Sequence, residues 1–300
     1  DAAIARDPGF ALAHAGVADA FNALGSWEAA ALAPLDAFPR AHAAAVRALE
    51  LNPQLAEAHT PLAYASMHYL WAWRQAEAQF QRAIALDPRY VHAHHWYSHY
   101  LMATRRVEES LAESRRALEL EPVDIIINVH LAWHYWLAGL HEEAVEQCAR
   151  TAELDPRDQW APFFSGLALA SHGDVSRAVE EHRKALELSG GNTVMLAGLG
   201  HTYAAAGDSA AARAIADRLA REHAPRHVCA YELAVIHAAL GERDQAFDWL
   251  DRAYVERSAW LPYLAVDPRN EPLRGDARFR TLLHAVGLAE TPAIAVAPPA

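Results

Sequence analysis

The chain has 300 residues, 53% of them hydrophobic, with 38 acidic against 26 basic side chains and a net charge of -12. That apolar content excludes a disordered chain, and the negative balance argues against direct contact with nucleic acid or anionic membrane surfaces. The two cysteines, Cys148 and Cys229, lie about 80 residues apart and suggest neither a disulfide framework nor a thiolate zinc site. No apolar run reaches the roughly 18 to 20 residues of a membrane span, so a cytoplasmic location is expected.

In chain order, residues 1–8 read as the end of a helical unit whose beginning is missing, and the chain is expected to be a piece of a longer one. Beyond them a period emerges from the prolines. Arg47-Ala-Leu-Glu-Leu-Asn-Pro53 is echoed by the segments ending at Pro88, Pro122 and Pro156, at spacings of 35, 34 and 34 residues. The phase continues through Lys184-Ala-Leu-Glu-Leu-Ser-Gly190 to Pro225. Each unit holds two segments of helical period around a short turn, and the proline ends the second. Gly25, Gly139, Gly173, Gly207 and Gly241 recur near the turn, where a left-handed residue is expected. The first unit carries about 11 extra residues after Gly25, including Pro34 and Pro39, which predicts a bulging loop.

Small residues mark the helix crossings. They are Ala63, Ser98, Ala132, Gly166, Gly200 and Ala234 on first helices, then Ala76, Ala144, Ala178, Ala212 and Ala246 on second helices. With six units in phase, the pattern resembles the tetratricopeptide repeat. The resemblance implies an all-α, right-handed superhelix (an α-solenoid) of about seven helix-turn-helix repeats with a C-terminal capping helix. The expected division is an incomplete repeat over 1–8, the array over 9–258, a capping segment over 259–289 and a frayed tail over 290–300. A narrower likeness rests on His94-His-Trp-Tyr97, Gly241 to Leu250 and Val266-Asp-Pro-Arg with Pro272 to Phe279. These stretches resemble the C-terminal repeats of bacterial multidomain signalling proteins, which follow a winged-helix, nucleotide-cyclase or serine/threonine-kinase domain.

In such arrays the first helices line the concave surface. Carried over residue by residue, this places Tyr64, His68, His92, His95, His99, Met102, Trp133, Trp136, Trp160 and Phe163 in a partner-binding groove rich in aromatics and histidines. Five first helices (Ala56 to Tyr69, Val91 to Ala103, Ile125 to Leu137, Gln159 to Ser171, Thr193 to Ala205) hold no Lys or Arg. That disfavours a carboxylate clamp and favours an apolar or aromatic protein segment, or another domain of the parent chain, as partner. No nucleophile elbow, phosphate-cradling loop or dinucleotide fingerprint occurs, so a non-enzymatic protein-binding scaffold is expected, with no cofactor and no metal. The alternative is a small-ligand or metal sensor on the His92, His95 and His99 face, one helical turn apart. No carboxylate or cysteine on that helix completes the set.

Overall fold

The computed structural model describes residues 2–27, 31–226 and 228–289. Helix α1 (Ala2–Arg6) is followed by seven helix pairs. They are α2 (Ala11–Gly25) with α3 (Pro34–Leu51), α4 (Ala56–Ala65) with α5 (Trp73–Leu86), α6 (Val91–Ala103) with α7 (Val107–Leu120), and α8 (Ile125–Leu137) with α9 (His141–Leu154). Then come α10 (Trp160–His172) with α11 (Val175–Leu188), α12 (Thr193–Ala205) with α13 (Ser209–Arg226), and α14 (Ala230–Ala239) with α15 (Arg243–Val255). A π turn, Ser66–Leu70, prolongs α4, and the chain continues through 3-10 turns Leu261–Tyr263 and Pro268–Leu273 into α16 (Ala277–Ala285). No strand occurs among the described residues. Each pair packs internally and against its neighbours, giving the α-solenoid expected from the period.

The prolines act as the period requires. Asn52, Asp87, Glu121 and Asp155, each just before a proline, leave the helical region, the first two and Asp155 for extended backbone, because the following ring clashes with a helical residue. Asn52, Asp87 and Asp155 then accept a hydrogen bond from the amide two residues on, at 2.9–3.0 Å, which turns the chain into the next repeat. At the intra-repeat turn Gly139, Gly173, Gly207 and Gly241 have φ between 75° and 92°. The second and third units place Trp71 (φ 52°) and Arg105 (φ 64°) in the same left-handed region.

Two expectations need correction. Gly25 is not left-handed; its value lies in clearance, since a Cβ there would meet the Ala37 Cβ at 2.6 Å. The first-unit insertion is also less of a loop than expected. Pro34 opens α3 at its first position, where its missing amide costs nothing, and Pro39 lies inside that helix. Residues 28–30 and the tail 290–300 fall outside the described residues.

Ala76, Ala83, Ala117, Ala144, Ala178, Ala185, Ala212, Ala246 and Ala253 are all fully buried where the helices cross. Extra methylenes at such a crossing force helices apart or side chains off their rotamers. Ala117→Leu and Ala185→Leu are each expected to lower stability by about 1–3 kcal/mol in urea denaturation.

The C-terminal segment is bound to α14 by a buried polar network. The Arg269 guanidinium donates to Glu232 Oε2 at 2.9 Å and to Asp267 Oδ2 at 2.8 Å. Tyr231 donates to the same Asp267 oxygen at 2.9 Å, and Asn270 Nδ2 donates to Tyr231 at 2.6 Å. Against the cost of burial, the Arg269 charge and these hydrogen bonds hold the Asp267 carboxyl below its usual range, while burial pushes Glu232 up. Truncating Arg269 to Ala strands two buried carboxyl groups, and a loss of about 3–5 kcal/mol is expected by urea denaturation.

Candidate functional site: the histidine and aromatic core of the first-helix face

The first helices carry the expected aromatic and histidine stripe, and the structure places nine of its ten residues inside the core. Tyr64, His68, His95, His99, Met102, Trp133, Trp136, Trp160 and Phe163 are buried, and His92 alone is exposed. The stripe expected to line a groove is therefore packed within the chain itself. Two pieces of chain fill that face: Trp27, from the loop after α2, and the stretch Trp260 to Tyr263.

Trp27 stacks on Trp260 with ring centroids 4.8 Å apart, meets Trp160 edge-on at 4.8 Å, and lies 5.5 Å from Trp133. Tyr263 meets Trp133 edge-on at 4.6 Å. On one side the rings continue through Phe164 to Phe163 and His182. On the other side Tyr64 stacks on His68 at 4.1 Å and touches Trp96 at 4.7 Å. Trp136 stands at the rim of the cluster, its Nε1 donating to Ser171 Oγ at 3.0 Å. The physical reason is area: an aromatic side chain buries about 150–250 Å², or roughly 4–6 kcal/mol of gross hydrophobic gain. A stripe of that kind takes up whatever apolar segment the chain can bring to it.

Within the cluster sit four histidines from consecutive repeats, His95 and His99 on α6 and His130 and His134 on α8. His130 Nδ1 lies 3.0 Å from both His95 Nε2 and His99 Nε2, and the His130 ring stacks on His95. His99 Nδ1 is 3.1 Å from the Tyr263 hydroxyl, and His134 Nδ1 is 2.8 Å from Ser114 Oγ. His92 takes no part in the cluster. The third imidazole is His130, 35 residues after His95, which is the equivalent position of the next repeat. The repeat phase held that signal. Trp260 and Tyr263 also left a trace in the sequence: an apolar run interrupted by Pro262, lacking helical period, needs a partner surface.

Burial disfavours charge on His68, His95, His99, His134 and His182. It lowers His68 and His182 to about 3, and it brings His95, His99 and His134 well below the ordinary value of 6.5, with neighbouring histidines adding repulsion. His94 goes the other way, raised chiefly by its hydrogen bond to Glu113 at 2.5 Å. For a lowered folded pKa the unfolded chain binds more protons below pH 6.5. Stability is then full above that pH and falls on acidification towards the folded value. Each such histidine contributes a slope of up to about 1.4 kcal/mol per pH unit. The urea midpoint is expected to hold between pH 8 and 7 and to drop steeply from pH 6.5 to 5; a flat profile would contradict neutral burial of His68, His95, His99, His134 and His182.

Models of the tetratricopeptide repeat match residues 73–125, 98–159 and 169–230. No curated protein matches the chain. Among solved structures, it is similar to a tetratricopeptide repeat protein from Parabacteroides merdae (12% identity, 84% of this chain and 93% of that one, TM-score 0.59). It is also similar to PilW, a type IV pilus biogenesis factor (20%, 63% and 86%, TM-score 0.53). A third likeness is to a thermophilic tetratricopeptide repeat protein of Thermus thermophilus (20%, 56% and 91%, TM-score 0.51). At these identities the likeness is one of fold. The chain thus carries tetratricopeptide repeats in an all-helical solenoid whose first-helix face is filled by its own aromatic residues.

Proposed function

We propose that this array is a non-enzymatic protein-binding scaffold in the cytoplasm, the partner-binding or regulatory region of a larger bacterial signalling or transcription-regulating protein. Tetratricopeptide repeat proteins are generally protein–protein interaction scaffolds. The signalling context rests on the likeness of His94 to Tyr97, Gly241 to Leu250 and Val266 to Phe279 to the repeat regions of such proteins. The partner is another protein or another domain of the parent chain.

One observation carries the binding reading: a mostly apolar cleft of about 430 Å³ between the first repeat and the start of the seventh. Trp27, Leu35, Val228 and Ala259 give it apolar walls, and His223 and Glu256 give it a polar edge, with His223 Nε2 2.8 Å from Glu256 Oε1. A cleft of this size with few polar groups accepts an apolar side chain and fixes its orientation at the edge. With the inner stripe internally filled, recognition moves from the concave face to this cleft. Leu35 stands at its mouth, 47% exposed, and can be changed without disturbing the core.

Leu35→Glu is expected to leave helicity and thermal stability unchanged while weakening capture of the parent-chain domain or protein partner at least tenfold. The check is parallel affinity capture with quantitative mass spectrometry, using intact array and variant. Equal retention by both would remove the cleft from the binding surface.

A further inference from the structure

We propose that His95, His99 and His130 form a binding site for one zinc-class divalent metal ion, held by three imidazole nitrogens with a fourth position left for water or a small anion. The case rests on how the nitrogens face one another. One ligand atom from each ring lies within 4.8 Å of the others, and two of the separations are 3.0 Å. As hydrogen bonding, this arrangement is poorly matched. His130 Nδ1 has either one proton or one lone pair, yet two ring nitrogens approach it at hydrogen-bond distance, so one approach at a time is a full hydrogen bond. A metal ion at the centre would take a lone pair from all three, and imidazole nitrogens suit zinc and its first-row neighbours.

Two further features fit a metal centre. The Tyr263 hydroxyl, 3.1 Å from His99 Nδ1, can accept that N–H, fixing the tautomer that turns the Nε2 lone pair inwards. An outer partner of this kind typically orients a metal-bound histidine. Trp96 and Trp133 pack against the histidine rings and form an apolar wall. None of the three histidines lines the cleft between the first and seventh repeats, although Trp27 borders both, and the metal site does not rest on the partner-binding reading.

The test uses the whole 300-residue chain, freed of metal and titrated with Co²⁺ and Zn²⁺, both as folded protein and during refolding from urea, because the cluster is buried. One ion per chain by elemental analysis, tetrahedral cobalt absorption in the visible and a metal-dependent rise in Tm are expected. His99→Gln should abolish uptake, and Tyr263→Phe should weaken it about 10–100-fold, with helicity checked by circular dichroism. His141→Ala, at the separate His141–His172 ring pair, should leave binding intact. No stoichiometric uptake under either condition would overturn the proposal, as would uptake unaffected by His99→Gln or lost in His141→Ala. Should His99→Gln fail to fold, proton NMR of the Co²⁺ form of the native chain decides: hyperfine-shifted signals from three imidazoles support the site, and fewer than three sink it.

Discussion

The stack of Trp27 on Trp260 is the contact on which the arrangement of the inner face depends. It joins the loop after the first helix of the array to the segment after the last, and both rings lie against Trp133. Without it the first-helix stripe would face water as a continuous aromatic surface, a patch far larger than a monomeric protein ordinarily exposes. With it the stripe becomes the largest hydrophobic core among the described residues, running from Trp27 to Leu288. The buried Arg269 network and the His95, His99 and His130 cluster are both consequences. Each is a polar group carried inward with the apolar segment and obliged to find partners there.

A second set of contacts reinforces this closure at the surface. The Arg257 guanidinium lies 3.7 Å from the centre of the Trp71 ring, with Tyr69 and Tyr254 flanking it. Trp73 Nε1 donates to the Val286 carbonyl at 2.7 Å. Trp71 and Arg257 both have left-handed backbone, a conformation disfavoured for side chains of that bulk. Their face-to-face pairing sets a compensating attraction beside that local strain.

How far could a reader of the sequence have gone? Everything governed by the 34-residue period was legible: helix boundaries set by Pro53, Pro88, Pro122 and Pro156, the alanines at helix crossings, and the glycines at the later turns. These depend on local rules, and each repeat restates them. The stripe of Tyr64, His68, His95, His99, Trp133 and Phe163 was also visible, but not what faces it. Whether an apolar stripe is open or covered depends on where a non-repeating segment lands, and Trp27, Trp260 and Tyr263 all lie outside the period. His130 falls between these cases. Its place in the repeat was readable, but its convergence with His99 required the angle between α6 and α8.

The joining of the second repeat to the end of the seventh also bears on how the molecule responds to force. An open solenoid changes its curvature readily, because a small rotation at every interface adds up along the array. Here Trp71, Arg257 and Trp73 tie distant turns of the coil together, and such rotations must sum to nearly zero. The distance between any two surface points on different repeats then varies little. A partner that grips two of them at once meets a ready-made spacing, and little conformational entropy is lost when it settles.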